Sequence, residues 1–146
     1  MSVLGFRHVG IVVKDIQTQL FFYQELLGLE LYYHEIEKGI FLDTLLGDDG
    51  LSPSIYKLGN KGNTLVELLD FGSNLHSVDI KTSLLQNGYT HFSITINDLD
   101  YLYNRLCENK VEFINPPRIS DNGKFKVCFC RDFENNFIEL VEILNQ

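Results

Sequence analysis

Residues 7–16 read RHVGIVVKDI, and residues 90–99 read THFSITINDL. Laid one over the other, they put His8 on His91 and Asp15 on Asp98, an offset of 83 residues. Each stretch alternates apolar and other residues, is rich in β-branched side chains and ends near an acidic residue, so each reads as a short strand leading into a helix. Side chains alternate faces along a strand. Arg7, Val9, Ile11 and Val13 therefore share one face, with His8, Gly10 and Val12 on the other. In the second stretch Phe92, Ile94 and Ile96 form the apolar face, and His91, Ser93 and Thr95 lie opposite. A lone strand histidine is ordinarily a surface or hydrogen-bonded residue. One that recurs at the same place in two copies needs a further account.

Outward from these strands the two halves keep the same order. In KDIQTQLFFYQELLG, Ile16, Leu20, Phe21 and Leu27 recur at helical spacing, and Gly28 ends the helix. Strand-like LELYYHEI, SIYKL and TLVELLDF follow, with a loose loop over 38–53 and the turn GNKGN between them. In the second half DLDYLYNRLCENK is a helix with Leu99, Leu102, Tyr103 and Leu106 on one side and Asp98 or Asn97 as its cap. VEFIN, FKVCFC and NFIELVEIL supply three strands, with NPPRISDNGK as a Pro/Gly loop. The ends align too: TLVELL (64–69) sits over NFIELV (136–141), an offset of 72 that the longer first-half loop explains. The expected fold class is α+β: two βαβββ modules in tandem, 1–71 and 87–146, joined by a linker over 72–86 within a single domain.

The alignment also places Glu67 on Glu139. In TLVELL, Val66 and Leu68 face the core and Glu67 faces away; in NFIELV, Ile138 and Leu140 face the core and Glu139 lies opposite. A carboxylate among aliphatic neighbours is costly unless it is paired or bound to a metal. Two neutral imidazoles and two carboxylates balance one divalent cation, and mixed nitrogen and oxygen donors suit Zn, Ni, Mn, Co or Fe. An ion pair between each Glu and its own His, or a solvated outer sheet face, accounts for the same symmetry.

Composition bounds the partners. The 146 residues are 45% hydrophobic and 12% aromatic, enough for a packed interior. A formal charge of -8 repels phosphate backbones, which argues against nucleic acid and anionic membrane surfaces and is compatible with binding a cation. No apolar run has the length of a transmembrane helix, and the first residues lack the pattern of a secretory signal. Cys107, Cys128 and Cys130 are odd in number, which fits free thiols in the cytoplasm.

HVGIVVKDI with FYQELLGLEL after it, LVELLDF, YTHFSITINDLD and CRDFENNFIELVE together resemble the vicinal oxygen chelate superfamily, also called the glyoxalase/bleomycin resistance/dioxygenase superfamily. The resemblance covers almost the whole chain. CRDFENNFIELVE is similar to the family's turn-and-strand D-P-D-G-N-x-x-E-L, with Phe133 and Asn135 where Pro and Gly are common. The resemblance implies paired βαβββ modules whose mixed sheet curls around a metal site, with His8, Glu67, His91 and Glu139 at the four ligand positions. A glutamate at position 67 is most similar to glyoxalase I, the lactoylglutathione lyase, although Thr90 precedes the second histidine where Gly or His is usual in that enzyme. The implied activity is that of a metal-dependent lyase or isomerase working through an enediolate, with Glu139 or Glu67 as the base. An epimerase resembling methylmalonyl-CoA epimerase, a dioxygenase and a metal-free drug-binding module are the alternatives. In the last of these Tyr32, Tyr33, Tyr56 and Tyr89 line the pocket. Arg118 and Arg131 are candidates to hold an anionic substrate, whereas Asp43 reads as a helix cap or a solvated residue and His34 and His76 carry no role. The family also implies a homodimer, since the sheet edges and concave faces need cover.

Overall fold

The computed structural model describes residues 2–77 and 83–144, so part of the expected linker, 78–82, lies outside the described residues. The chain divides into two compact units, 1–77 and 78–146. Each is a four-stranded mixed sheet with its own helices, and the two follow one another in sequence as tandem modules; neither sheet closes on itself.

The first unit runs β1 (Val9–Val12), α1 (Ile16–Leu20) continuing as a π-helical turn (Phe21–Leu26), β2 (Glu30–Ile36), α2 (Ile40–Leu46), β3 (Ser54–Asn60) and β4 (Asn63–Asp70). Its strand order is β1-β4-β3-β2. β1 lies parallel to β4, and the remaining neighbours are antiparallel. Asp15 caps α1, its carboxylate accepting from the Thr18 amide at 3.1 Å and the Thr18 hydroxyl at 2.6 Å. The alternation of the first strand holds: Ile11 and Val13 are buried, and Val12 is exposed.

The helix turns a different stripe inward from the one its sequence suggests. Gln19, Phe22, Tyr23 and Leu26 are buried, while Phe21 is exposed. These are again residues three and four apart, one position round from the expected set. The Leu27 amide reaches back five residues to the Phe22 carbonyl at 3.0 Å, which widens the last turn before Gly28 leaves it at φ 75°. The loop expected over 38–53 contains a helix, α2. Its Ile40, Phe41, Leu45 and Leu46 are exposed and only Leu42 is buried, so the segment lacks the apolar stripe by which a packed helix is recognised. Asp43 ties down the loop after α2, its two carboxylate oxygens accepting from the Gly50 and Leu51 amides at 3.0 Å each.

The second unit runs β5 (His91–Ile96), α3 (Leu99–Glu108), β6 (Arg118–Ile119), β7 (Phe125–Arg131) and β8 (Phe137–Ile143), in the order β5-β8-β7-β6. β5 and β8 are parallel, matching β1 and β4. Asp98 caps α3 through the Tyr101 amide at 3.0 Å, and Leu99, Leu102 and Leu106 are buried as expected. Lys126 clips the start of that helix to the sheet, 2.7 Å from Asp100 and 3.6 Å from Glu142, whose carboxylate also accepts from the Leu99 amide at 3.1 Å. VEFIN does not form a full strand. It makes one bridge, Phe113 to Cys130, and the fourth strand is the two-residue β6 inside the segment expected to be loop. Two prolines at 116 and 117 remove donors there and delay regular pairing until Arg118. No helix among the described residues is long and apolar enough to cross a membrane.

Candidate functional site

The parallel pair in each unit presents its histidine and glutamate in the same way. In the first unit Gly10 of β1 stands opposite Glu67 of β4, and His8 precedes Gly10 by two residues on the same face. In the second Ser93 of β5 stands opposite Glu139 of β8, and His91 precedes Ser93 by two. The same diagonal arises twice because the register of first strand on last strand is the same in both units. Every one of the four residues lies on the sheet face opposite Val66, Leu68, Ile138 and Leu140, which are fully buried.

In the first unit His8 Nε2 is 3.5 Å from Glu67 Oε2. On the other side of Glu67, across the antiparallel pairing with β3, lies Lys57, its Nζ 3.6 Å from the same oxygen. Tyr33 of β2 pairs with Lys57 in turn and sets its ring under the ammonium, 4.7 Å from centroid to Nζ. The Tyr33 hydroxyl donates to Glu37 at 3.0 Å; that bond, with desolvation and the nearby Glu35 charge, pushes its pKa up to about 12. Tyr33, Lys57 and Glu67 thus form a row across the sheet, ending at His8.

The second unit has different neighbours. The residue across from Glu139 on β7 is Phe129, and its ring meets His91 edge to face at 5.0 Å. His91 Nδ1 is hydrogen-bonded to the Thr90 hydroxyl at 2.8 Å. In the tautomer with the proton on Nδ1, that bond orients the ring and leaves the Nε2 lone pair available for a metal. Glu139 has no hydrogen-bond or ion-pair partner among the described residues. Arg131 lies over the Phe137 ring at 4.0 Å, next to the glutamate on β8.

The turn before β8 is held by Asp132. Asp132 is 4% exposed, and its carboxylate accepts from the Glu134 amide at 2.9 Å, the Asn136 amide at 2.9 Å and the Asn136 side chain at 2.8 Å. Asn135 takes φ 69°, the left-handed region in which a glycine is most at ease and Asn is tolerated. Asn135 therefore fills the glycine position of the turn without losing its shape.

The donor chemistry suits a divalent ion. Each unit offers one imidazole and one carboxylate on one sheet face, and the second unit leaves its carboxylate unengaged. Among the described residues no three His, Cys, Asp or Glu side chains gather into a ligating group; one His and one Glu is what each unit presents. The model of one protein family matches residues 5–140, described as Glyoxalase/Bleomycin resistance protein/Dioxygenase superfamily. The chain belongs to that superfamily.

Solved structures of the superfamily share its fold. A glyoxalase family protein from Bacillus cereus superposes with a TM-score of 0.89 at 22% identity, covering 99% of this chain and 97% of that one. The fosfomycin resistance protein FosX from Listeria monocytogenes gives 0.62 at 19% identity over 98% and 96%. The trypanothione-dependent glyoxalase I of Leishmania major gives 0.62 at 20% identity over 92% and 84%. No curated protein sequence matches the chain. At these identities the likeness is one of fold, the vicinal oxygen chelate fold of tandem βαβββ modules.

Of the tyrosines expected to line a pocket, Tyr33 alone is in the row with Glu67. Tyr56 pairs with buried Leu68 on the opposite face and stacks on His34 at 4.0 Å. The Tyr32 hydroxyl accepts from the Gly62 amide at 2.8 Å and donates to Glu30, and Tyr89 is fully exposed. Arg118 lies on β6 opposite Val127. Lys57 is absent from the candidates that the sequence suggests, for a reason that lies in the strand register. The β3–β4 pairing slips by one at Leu58/Gly59, leaving Leu65 as the extra residue. Counting back evenly from the turn sets Lys57 against Val66 on the core face; the slip sets it against Glu67. The signal is Gly59, where a Cβ runs into the Asn63 carbonyl.

Proposed function

We propose that this chain is a divalent-metal-dependent lyase or isomerase of the glyoxalase type, acting on a small substrate with vicinal oxygens. His8, Glu67, His91 and Glu139 are the proposed ligands and Glu139 the proposed base. The observation that carries this reading is the repeated diagonal, an imidazole two residues out of register with a carboxylate on the same face of each sheet. When bound, a divalent ion supplies Lewis acidity and stabilises negative charge developing on the vicinal oxygens.

The residues of the chain account for the rest. Among the described residues no side chain pairs with Glu139, whereas His8 and Lys57 pair with Glu67, so Glu139, on leaving the metal transiently, is the freer of the two to take a proton from the substrate carbon. The C–H electron pair would pass into an enediolate, the proton would return from Glu139 to the neighbouring carbon, and the hydroxyl proton would move to the other oxygen, so that hydroxyl and carbonyl exchange places. Glu67, held between His8 and Lys57, is suited to a fixed charge. Phe129 beside Glu139 and His91 keeps an apolar wall against that carboxylate, which favours proton transfer over solvation. We also propose a cytoplasmic location, on the three free thiols, and a homodimer, which sedimentation at micromolar concentration tests.

The deciding experiment combines metal analysis with hydrogen exchange. Protein purified without chelator and reloaded with Zn, Ni, Mn or Co is expected to hold about one ion per chain and to exchange a substrate C–H in heavy water. The panel is hemithioacetals, 2-hydroxy carbonyls and acyl-CoA esters. Exchange of an acyl-CoA ester alone points to the epimerase, and oxygen consumption with a catechol points to the dioxygenase. Failure to bind any of the four metals leaves the binding module.

A further inference from the structure

Glu67 already has a cation beside it. Leu69 and Ile55 stand on the same face, paired with each other across β4 and β3, and Ile55 is buried. A carboxylate in such surroundings needs a partner. His8 Nε2 and Lys57 Nζ both approach one of its oxygens, Oε2, at 3.5 and 3.6 Å, and the Glu67 side chain is only 15% exposed. The fold itself does not call for a cation here, because Phe129 takes the equivalent place in the second unit. Lys57 also has a second set of contacts to turn to. The Tyr33 ring lies 4.7 Å from its Nζ, and the Tyr33 hydroxyl is bonded to Glu37 at 3.0 Å and to Glu35 at 3.4 Å.

We infer that Lys57 stands in for the metal at Glu67: its ammonium holds the carboxylate while no ion is bound, and an incoming divalent ion must displace it. The inference rests on the metal-dependent reading above and concerns the first unit alone. An ammonium and a divalent ion attract the same carboxylate oxygen, and they repel one another at the short separation that sharing it imposes. Lys57 therefore makes Glu67 a weaker metal ligand than the same glutamate without it. Remove the lysine, and a half-buried carboxylate is left with the imidazole as its one printed neighbour, so an entering ion relieves an uncompensated charge instead of breaking a pair. The displaced ammonium is not stranded, because the Tyr33 ring and the acidic pair Glu35 and Glu37 on the edge strand β2 remain beside it. Lys57 is thus a positioning residue that acts on the metal through Glu67.

Metal affinity tests this directly. Zn is titrated into metal-free wild type, Lys57→Met, Lys57→Arg and Lys124→Met against a chromophoric chelator, and the series is repeated with Ni, Mn and Co. Lys57→Met is expected to bind roughly ten- to a hundredfold more tightly at low ionic strength, with the gain shrinking as salt is added. Lys57→Arg keeps the charge and should bind as wild type does. Lys124→Met, an exposed lysine of the second unit, makes the same change in net charge and should leave affinity unaltered. Damage to the fold weakens binding, so a gain in affinity separates a rival cation from a merely structural one. Should Lys57→Met not fold, Lys57→Gln takes its place, and the Lys57 side-chain resonances of the wild type, followed by NMR through the Zn titration, are expected to shift in step with occupancy. Unchanged or weaker binding in Lys57→Met, equal tightening in Lys124→Met, or Lys57 resonances that stay still at full occupancy overturns this inference alone. A wild type that takes up none of the four metals brings down the metal-dependent reading and this inference together.

Discussion

Lys57 faces Glu67 across β3 and β4 in the register that sets Phe129 against Glu139 across β7 and β8. Two glutamates at equivalent places in equivalent modules therefore differ in company, one ion-paired and one beside an aromatic ring. Their roles should separate on mutation. Glu139→Gln keeps an amide oxygen that can coordinate but cannot take a proton at neutral pH. Its substrate C–H exchange is expected to fall by roughly 10²–10⁴-fold with much of the metal retained. Glu67→Gln is expected to lose less. Deuterium incorporation followed by mass spectrometry or NMR reads both, and the reverse order makes Glu67 the base.

His8→Ala and His91→Ala are expected to lose metal and exchange activity together, since each removes an imidazole donor without a substitute. Elemental analysis after desalting checks this. Dialysis against a chelator should abolish exchange in the wild type and reloading should restore it. A histidine variant that keeps one ion per chain removes that residue from the ligand set.

The turn at Asp132 predicts a stability effect apart from the chemistry. Asp132→Ala strands two amides and a side-chain donor that its carboxylate now satisfies, and is expected to cost about 2–3 kcal/mol in urea unfolding. Asn135→Gly, at φ 69°, should be neutral or stabilising by up to about 1 kcal/mol, because glycine adopts that region without strain. A destabilised Asn135→Gly means that the Asn side chain contributes more than its backbone angle.

The three thiols should react unequally. Cys107 is exposed, whereas Cys128 and Cys130 are buried in β7. Burial first, and the neighbouring thiol second (Cys107 for Cys128, Cys128 for Cys130), push Cys128 up to about 12 and Cys130 higher still. At about pH 8, iodoacetamide is expected to label Cys107 alone in the folded protein and all three in denaturant, as peptide mass mapping reads out. The linkage has a definite sign. Unfolded thiols ionise near 9, and these two stay protonated in the fold beyond that, so the native state binds more protons between those limits. Stability is accordingly lost as pH rises above about 9, and it is unaffected by these groups below that.

Much of this architecture is legible in the sequence alone. The alternation in RHVGIVVKDI and THFSITINDL sets Ile11 and Val13 inward and His91 outward, because a strand with one covered face writes its burial at every second residue. Asp98 is recognisable as a cap, and the repeat dictates the module order. The features that escape depend on pairing between distant residues or on weak local pattern. Lys57 reaches the site through a bulge whose effect on register no single strand reveals. Helix α2 exposes most of its apolar residues, so its periodicity carries no burial signal. The stripe on α1 falls one position from the expected one, because Phe21 and Phe22 are adjacent and equally apolar, and only packing decides which turns inward.

Joining the first strand of each unit to its last, side by side and parallel, has a consequence for how the protein is made. β1 leaves the ribosome early and finds its neighbour only when β4 has emerged. At about 5–20 residues per second the wait is roughly 3–12 s. Through that interval Ile11 and Val13 have no sheet to cover them, and His8 and Glu67 are not yet together. Helix α1 and the β2–β3 pair can form first from nearer contacts, but the face that bears the proposed ligands is the last part of the unit to assemble. Nascent chains stalled short of residue 70 should therefore engage chaperones through the β1 segment, and chains stalled far enough beyond it for β4 to clear the ribosome should release them.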